Sequence, residues 1–305
     1  MNDRVTTPRS PLQLRRPERA PQAPISAADD PVELGGLKSH AVALWHTSLR
    51  TVAVLNVALW SLAAVAFTRE RGLNPGEIYS LSRMQLLLSA GYVAGCAYRS
   101  FLPVIDVPRI VLVDCRCSSV LVGRSVATVA ELCFAAQWAL VLHRIAVLAG
   151  SPFVQAVSLA IVPLIMLAQG CCWYAVLTTG QRAHAVENSL WGLSAALTVA
   201  SMLVIGRHQL AGIYNPVIVG GVAYVAFIFL YDVPMYWSRW RVDQANGHKQ
   251  LSIAEGFVDL CRRWTVSYRW EDWRNEIPWM SLYFTFGVWS SIWLVFALLA
   301  FEHGN

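Results

Sequence analysis

Seven apolar stretches, each long enough to cross a lipid bilayer, dominate this chain from Thr51 onward. They cover residues 51–67, 84–104, 118–142, 152–177, 188–206, 216–236 and 279–301. The hydrocarbon core offers no water to backbone N–H and C=O groups, so a stretch of about 20 apolar residues crosses it as a helix. Charged residues make up only 14% of the chain, against roughly a quarter in soluble domains. The sequence therefore predicts an all-α integral membrane protein, a seven-transmembrane-helix bundle.

Two regions of different composition divide the chain. Residues 1–40 begin with a stretch rich in arginine and proline that has no helical apolar period, which predicts a disordered basic tail. This tail lacks the apolar core and cleavage pattern of a signal peptide, so we expect the first span to remain in the mature protein. Residues 41–305 form the predicted seven-helix membrane domain.

Lysine and arginine residues outside the spans predict the orientation of the bundle. Residues 1–50, which precede the first span, and the connections 99–117, 178–187 and 237–278 share one side and carry 18 of these residues. The loops on the opposite side carry five. Because positive charge accumulates on the cytoplasmic side, we expect a cytoplasmic N-terminus and a C-terminus across the membrane. These features are typical of a multi-pass protein of the cell inner membrane.

The longest connection, 237–278, has a pattern of its own. Apolar residues recur in it at near-helical spacing with charged residues between them: Leu251, Ile253, Phe257, Leu260 and Trp264. This pattern predicts an amphipathic helix within 250–277, lying on the cytoplasmic membrane surface. Six of the thirteen tryptophans lie in or beside this connection. An interfacial aromatic belt is favoured over a stacking site for a ligand.

Polar residues inside the third span form the first candidate site. An ionisable side chain in the middle of a span is costly and usually faces protein or water, so Glu131 is a candidate for proton transfer. Arg124, Thr128 and Glu131 share one helical face. Arg124 and Glu131 lie two turns apart, about 10 Å along the axis, so we expect no direct contact without a bridging water or helix. A buried carboxylate that only pins neighbouring helices is an equally good interpretation.

His184 and Glu187, at the start of the fifth span, form the second candidate site. Their i, i+3 spacing places them on one helix face, as a general base or as part of a metal site. A charged helix start is the favoured interpretation, because a metal site needs three or four ligands. Cys171 and Cys172 lie in the fourth span, where small polarizable side chains suit helix packing. We therefore predict no metal site.

The candidate site residues fall into two groups. The candidates for catalysis are Glu131, His184 and Glu187. The candidates for substrate binding are Arg124, Thr128, Gln169 and Asp232. Arg124, His184, Glu187 and Asp232 belong to the predicted cytoplasmic side, where together they could line a polar cavity.

Three classes of function remain open. The first is a cytoplasm-facing site that binds, and as an enzyme would transform, a lipid-soluble substrate. The second is a small proton-coupled transporter that uses Glu131. The third is a non-catalytic subunit or assembly factor that contacts another membrane protein through the Trp-rich segment 237–279. The chain contains no P-loop, GxGxxG, GxSxG or HExxH motif, and the sequence identifies no cofactor. Membrane lipids are the expected partners, and no feature indicates nucleic acid.

Overall fold

The fold comes from a computed structural model that describes residues 31–71, 77–206, 214–262 and 264–303. Residues 1–30 of the predicted disordered tail lie outside the described residues. Residues 31–40, the last ten of that tail, are helical: they form the start of the first helix, which begins at Pro31. Proline suits the first turn of a helix, where its missing N–H has no helical partner to lose.

Long helices account for most of the described chain. In chain order the helices are α1 (Pro31–Arg71), α2 (Glu77–Phe101), α3 (Val120–Ala149), α4 (Pro152–Thr178), α5 (Gln181–Ile205), α6 (Tyr214–Phe227), α7 (Val233–Ala245), α8 (Ile253–Arg262), α9 (Trp270–Trp273), α10 (Ile277–Leu282) and α11 (Val288–His303). A π-helical turn, Ile228–Asp232, joins α6 to α7, and a second, Tyr283–Gly287, joins α10 to α11. Each of these pairs is therefore one continuous helix, and every predicted apolar stretch lies mainly on a long helix.

Six helical segments in the described part of the chain are long and apolar enough to cross a membrane. They are Ser39–Arg69, Val120–Ala149, Pro152–Thr178, Gln181–Ile205, Tyr214–Ala245 and Ile277–Ala297. These six segments support the predicted helical, multi-pass membrane architecture. Helix α2, which carries the second predicted stretch, is not among them.

The position of α2 inside the bundle explains its more polar composition. Helix α2 packs against α1, α3 and α11, and its Gln85 and Ser89 side chains are fully buried. Gln85 donates to the backbone carbonyl of Gln137 on α3 (2.8 Å). Gln137 in turn donates to the carbonyl of Ser291 on α11 (3.0 Å), and the Ser291 and Ser89 hydroxyl oxygens lie 3.1 Å apart. Interhelical hydrogen bonds of this kind join helices where lipid supplies no hydrophobic driving force.

A small sheet closes one end of the bundle. Strand β1 (Val104–Ile105) pairs antiparallel with β2 (Ile110–Val111), and β2 pairs parallel with β3 (Thr265–Val266). The first two strands belong to the connection 99–117 and the third to the connection 237–278. The sheet therefore joins two of the connections that the charge count assigns to the same side of the membrane.

Helix α8 lies within the range predicted for the amphipathic helix. Its Gly256 and Leu260 are buried, while Ile253 and Phe257 are exposed. A Cβ atom added at Gly256 would lie 1.9 Å from the backbone oxygen of Leu177, so α8 rests directly on the end of α4. Its exposed apolar side chains suit a helix lying at a membrane surface.

The tryptophans of segment 237–279 do not share one surface. Trp273 is fully buried and donates to the carbonyl of Ser267 (2.8 Å). Trp264 donates to Asp114 (3.1 Å), and Trp279 lines a cavity between the helices. The segment therefore does not present all its tryptophans as one belt, because tertiary packing turns some of these rings inward.

Candidate functional site

A cavity of about 200 Å³ lies at the end of the bundle that carries the sheet. Residues from α2, α3, α4, α5, α7 and α10 and from the β1–β2 turn line it. Its lining carboxylate, guanidinium and imidazole groups belong to Arg99, Asp106, Arg124, Glu131, His184, Glu187, Asp232, Arg239 and Glu276. Glu131 lies eleven residues into α3, so the cavity reaches about 17 Å from the start of that helix. Five of the seven predicted site residues line this one cavity.

Arg124 and Glu131 form a direct ion pair, contrary to the prediction from the sequence. The Nη2 atom of Arg124 lies 2.7 Å from Oε1 of Glu131. The prediction took account only of the separation of the two residues along the helix axis. It was wrong because two long side chains reaching towards each other can cover that separation.

The other two predicted residues, Thr128 and Gln169, join this ion pair through hydrogen bonds. Gln169 on α4 accepts from Arg124 (3.0 Å) and from the Thr128 hydroxyl (3.0 Å), and it donates to Oε2 of Glu131 (2.6 Å). The indole N–H of Trp173 donates to Thr128 (3.0 Å). Both Glu131 oxygens are therefore engaged, and the network ties α3 to α4.

Asp106 extends the network towards the sheet. Its Oδ2 atom lies 3.6 Å from Nη1 of Arg124. Among the described residues, three buried polar atoms beside the cavity have no hydrogen-bond partner: Nε of Arg99, Oδ1 of Asp106 and Nε of Arg124. Buried polar atoms in native proteins are almost always paired with protein or ordered water. A polar ligand or an ordered water would supply the missing partners if small side-chain movements expose these atoms to the cavity.

His184 and Glu187 lie together in the first turns of α5, on one face as their spacing predicts. Nδ1 of His184 is 2.8 Å from Oε2 of Glu187, and both residues are buried. The His184 ring also lies near Tyr236 of α7, with ring centroids 5.3 Å apart. A carboxylate at this distance can hold the imidazole in one orientation.

Cys172 joins this pair, although its sequence context indicates packing alone. Its sulfur and one ligand atom each of His184 and Glu187 lie within 4.8 Å of one another. All three side chains are buried, and all three residues line the cavity. The sequence signal is weak, because Cys172 lies on α4 and the other two residues lie on α5.

Asp232 and Glu276 approach the cavity from the other side. Asp232 is buried in the π-helical turn between α6 and α7. Glu276 directly precedes α10, and its Oε1 atom lies 3.8 Å from Nη2 of Arg239. Burial raises the pKa of Glu276, and the positive charge of Arg239 opposes that rise. Asp232 is predicted from the sequence, whereas Glu276 is missed because it lies in a connecting segment rather than an apolar stretch.

An aromatic seam connects α6 and α10 beside the cavity. The rings of Phe227 on α6 and Trp279 on α10 meet edge to face, with centroids 4.3 Å apart. Trp279 stacks on Tyr283, and the hydroxyl oxygens of Tyr283 and Tyr224 lie 3.2 Å apart. Trp279 and Tyr283 also line the cavity, so this seam forms part of its wall.

A scan against protein-family models, a search of curated proteins and a search of solved structures find no match to this chain. Its function is therefore inferred from the site alone.

Proposed function

We propose that the cavity binds the polar end of a lipid-soluble molecule and exchanges a proton with it. The observation that carries this proposal is the convergence of buried and half-buried carboxylates, guanidinium groups and one imidazole on a single cavity among apolar helices. Ionisable groups are costly inside a membrane protein, and they are retained mainly where they serve binding, proton transfer or pairing. The unpaired atoms of Arg99, Asp106 and Arg124 are consistent with a polar occupant.

The residues divide into those that hold the polar end and those that move the proton. Arg124 and Gln169 hold Glu131 in place, Thr128 supports Gln169, and the unpartnered Nε of Arg124 is the donor we assign to the ligand. Arg124 is therefore a positioning group as well as a binding group, because Glu131 already neutralises much of its charge. His184, oriented by Glu187, is the proton acceptor.

The aromatic seam offers a route from the bilayer. Side chains join α6 to the helix formed by α10 and α11: the Phe227 and Trp279 rings meet with centroids 4.3 Å apart, and the Tyr224 and Tyr283 hydroxyl oxygens lie 3.2 Å apart. Side chains change rotamer far more easily than packed backbones separate. A hydrophobic tail could remain in lipid at this seam while the polar end reaches His184 and Glu131.

The proposed orientation follows the charge distribution. We place the N-terminus in the cytoplasm and assign the protein to the inner membrane. We also count α2 as a membrane span, which brings the number of spans to seven. The cavity then belongs to the cytoplasmic half, because it lies at the sheet-bearing end of the bundle.

Lipid analysis of the purified protein tests the proposal. The protein, its His184→Gln and Glu131→Gln variants and a His143→Gln control would be purified in nanodiscs, and their extracted lipids compared by mass spectrometry. His143 is a suitable control because it lies near the opposite end of α3, where its Nδ1 atom is hydrogen-bonded to the Ser158 hydroxyl (3.4 Å). We expect one lipid-soluble component to be enriched in the wild type and control, and to be at least about tenfold less abundant in the two cavity variants. A loss of this size corresponds to the free energy of one buried hydrogen bond to a charged group. Identical lipid profiles in all four proteins would contradict the proposal.

A proton-coupled transporter is the second candidate. It is favoured by the presence of three carboxylates from different helical segments, Glu131, Glu187 and Asp232, around one cavity. Proteoliposomes with an imposed pH gradient separate the two candidates. Proton flux that depends on Glu131 and on an added solute would favour the transporter. Chemical change of the bound molecule would favour the first candidate, a site that binds a lipid-soluble molecule and exchanges a proton with it.

A further inference from the structure

We infer that Cys172, His184 and Glu187 form a zinc site in the wall of the cavity. This inference goes beyond the proposed function and does not depend on it, since metal binding is measured without a substrate. The geometric basis is that one ligand atom from each of the three side chains lies within 4.8 Å of the other two. A thiolate, an imidazole and a carboxylate are three of the ligand types that zinc binds in proteins.

The spacing of the three groups suits a tetrahedral ion. Zinc lies about 2.0–2.3 Å from its nitrogen, oxygen and sulfur ligands, so tetrahedral ligand atoms are about 3.3–3.8 Å apart. The atoms of Cys172, His184 and Glu187 need to move by only about 1 Å to reach that arrangement, well within side-chain rotation. The 2.8 Å contact between His184 and Glu187 would lengthen as the ion replaces their hydrogen bond.

The ligand chemistry selects zinc over the common hard cations. Calcium and magnesium prefer oxygen ligands, and a buried thiolate and imidazole suit neither. Binding would release the proton of the Cys172 thiol as the sulfur–zinc bond forms. The two anionic ligands, Cys172 and Glu187, then match the charge of the ion.

The charge of the cavity favours a cation in spite of its arginines. Arg124 is an electrostatic neighbour of both Cys172 and Glu187 and opposes a metal ion there. Glu131, however, lies 2.7 Å from Arg124 and neutralises it. The lining contains five carboxylates and three guanidinium groups in all. Carboxyl groups therefore outnumber guanidinium groups in the lining, and each ionised carboxylate lowers the cost of placing a divalent ion in a low-dielectric site.

The site also has an open side. Three protein ligands and a fourth position for water or substrate are typical of catalytic zinc, whereas structural zinc has four protein ligands. All three residues line the cavity, so the fourth position can face it. The ion would acidify a water molecule bound there, and the resulting hydroxide would take over from His184 as the proton acceptor.

Metal analysis of nanodisc-purified protein tests the site. Zinc content by mass spectrometry and zinc affinity by competition with a chelator would be measured for the wild type, Cys172→Ser and His184→Asn. Cys171→Ser is the matched control, because it removes the neighbouring thiol, which lies outside the three-residue cluster. We expect about one zinc per chain in the wild type and control, and at least about tenfold weaker binding in the two ligand variants.

Cobalt substitution gives a second measurement, and it can be made on the wild-type protein even if the ligand variants fail to fold. Cobalt bound through a thiolate has a sulfur-to-metal charge-transfer absorption, which we expect in the wild type and in Cys171→Ser. Wild-type protein that binds zinc no more tightly than Cys172→Ser, or cobalt without that absorption, would overturn the inference. Neither result bears on the lipid analysis, so failure of the zinc site and failure of the proposed function are distinguishable.

Discussion

At the scale of single residues, the ion pair between Arg124 and Glu131 links stability to the candidate site. The Arg124 side chain is only 6% exposed, while that of Glu131 is 24% exposed. Removing one member of a buried pair leaves the other charge without its partner, and this usually costs more than replacing both with apolar groups. The pair therefore contributes to stability in a way that a double-variant comparison can measure.

The double-variant comparison gives a clear expectation. Glu131→Leu alone should lower the free energy of unfolding by about 3–5 kcal/mol, because Arg124 then has only Asp106 at 3.6 Å as an ion-pair partner. Arg124→Met combined with Glu131→Leu should cost less than Glu131→Leu alone. Denaturant unfolding in mixed micelles, followed by tryptophan fluorescence, measures both values. Ser125→Ala is the control, since the Ser125 hydroxyl donates to the Leu121 carbonyl of its own helix. A double variant that loses as much stability as Glu131→Leu alone, or more, would contradict this view of the pair.

At the scale of elements, helix α8 is held by close backbone contact with α4. The contact depends on Gly256, because any larger side chain would overlap the Leu177 carbonyl. Arg109 strengthens the same junction, since its Nε atom lies 2.6 Å from Oδ2 of Asp259 on α8 and its Nη2 donates to the carbonyl of Val176 on α4 (3.3 Å). The amphipathic pattern of α8 is visible in the sequence, but this attachment is not.

Gly256→Ala should therefore loosen α8. The added methyl group meets a backbone carbonyl that cannot rotate away, so we expect a loss of about 1–3 kcal/mol in stability, typical of overpacking. Amide hydrogen exchange should also become faster across residues 253–262. Gly170→Ala is the matched control, because an added Cβ there has no neighbour within 4 Å. Equal exchange rates in the two variants would show that α8 does not depend on this contact.

At the scale of the whole molecule, the sheet and the charge count relate to the same end of the bundle. Cys117 precedes α3 and Cys261 lies on α8, and both are exposed near the sheet. The proposed orientation places both of them in the cytoplasm. Leu148, near the other end of α3, is exposed as well and would lie on the opposite side.

Thiol labelling of intact cells and inside-out vesicles measures this orientation. A membrane-impermeant maleimide should label Cys117 and Cys261 in inside-out vesicles, but not in intact cells. In a chain with both residues replaced by serine, a Leu148→Cys variant should give the reverse result. Labelling of Cys117 or Cys261 from outside intact cells would reverse the proposed topology.

The sequence by itself determined the helical membrane architecture and which polar residues lie within the apolar helices. Both follow from local physics: a backbone in lipid must satisfy its own hydrogen bonds, and an ionisable residue in an apolar stretch is costly wherever the helix packs. Only the tertiary structure decided which of those residues meet. It brought Cys172 of α4 to His184 and Glu187 of α5, joined Arg124 directly to Glu131, and buried the polar face of α2 against α3 and α11. Such contacts depend on which helices are neighbours and how far side chains reach, and the spacing of residues along one helix specifies neither.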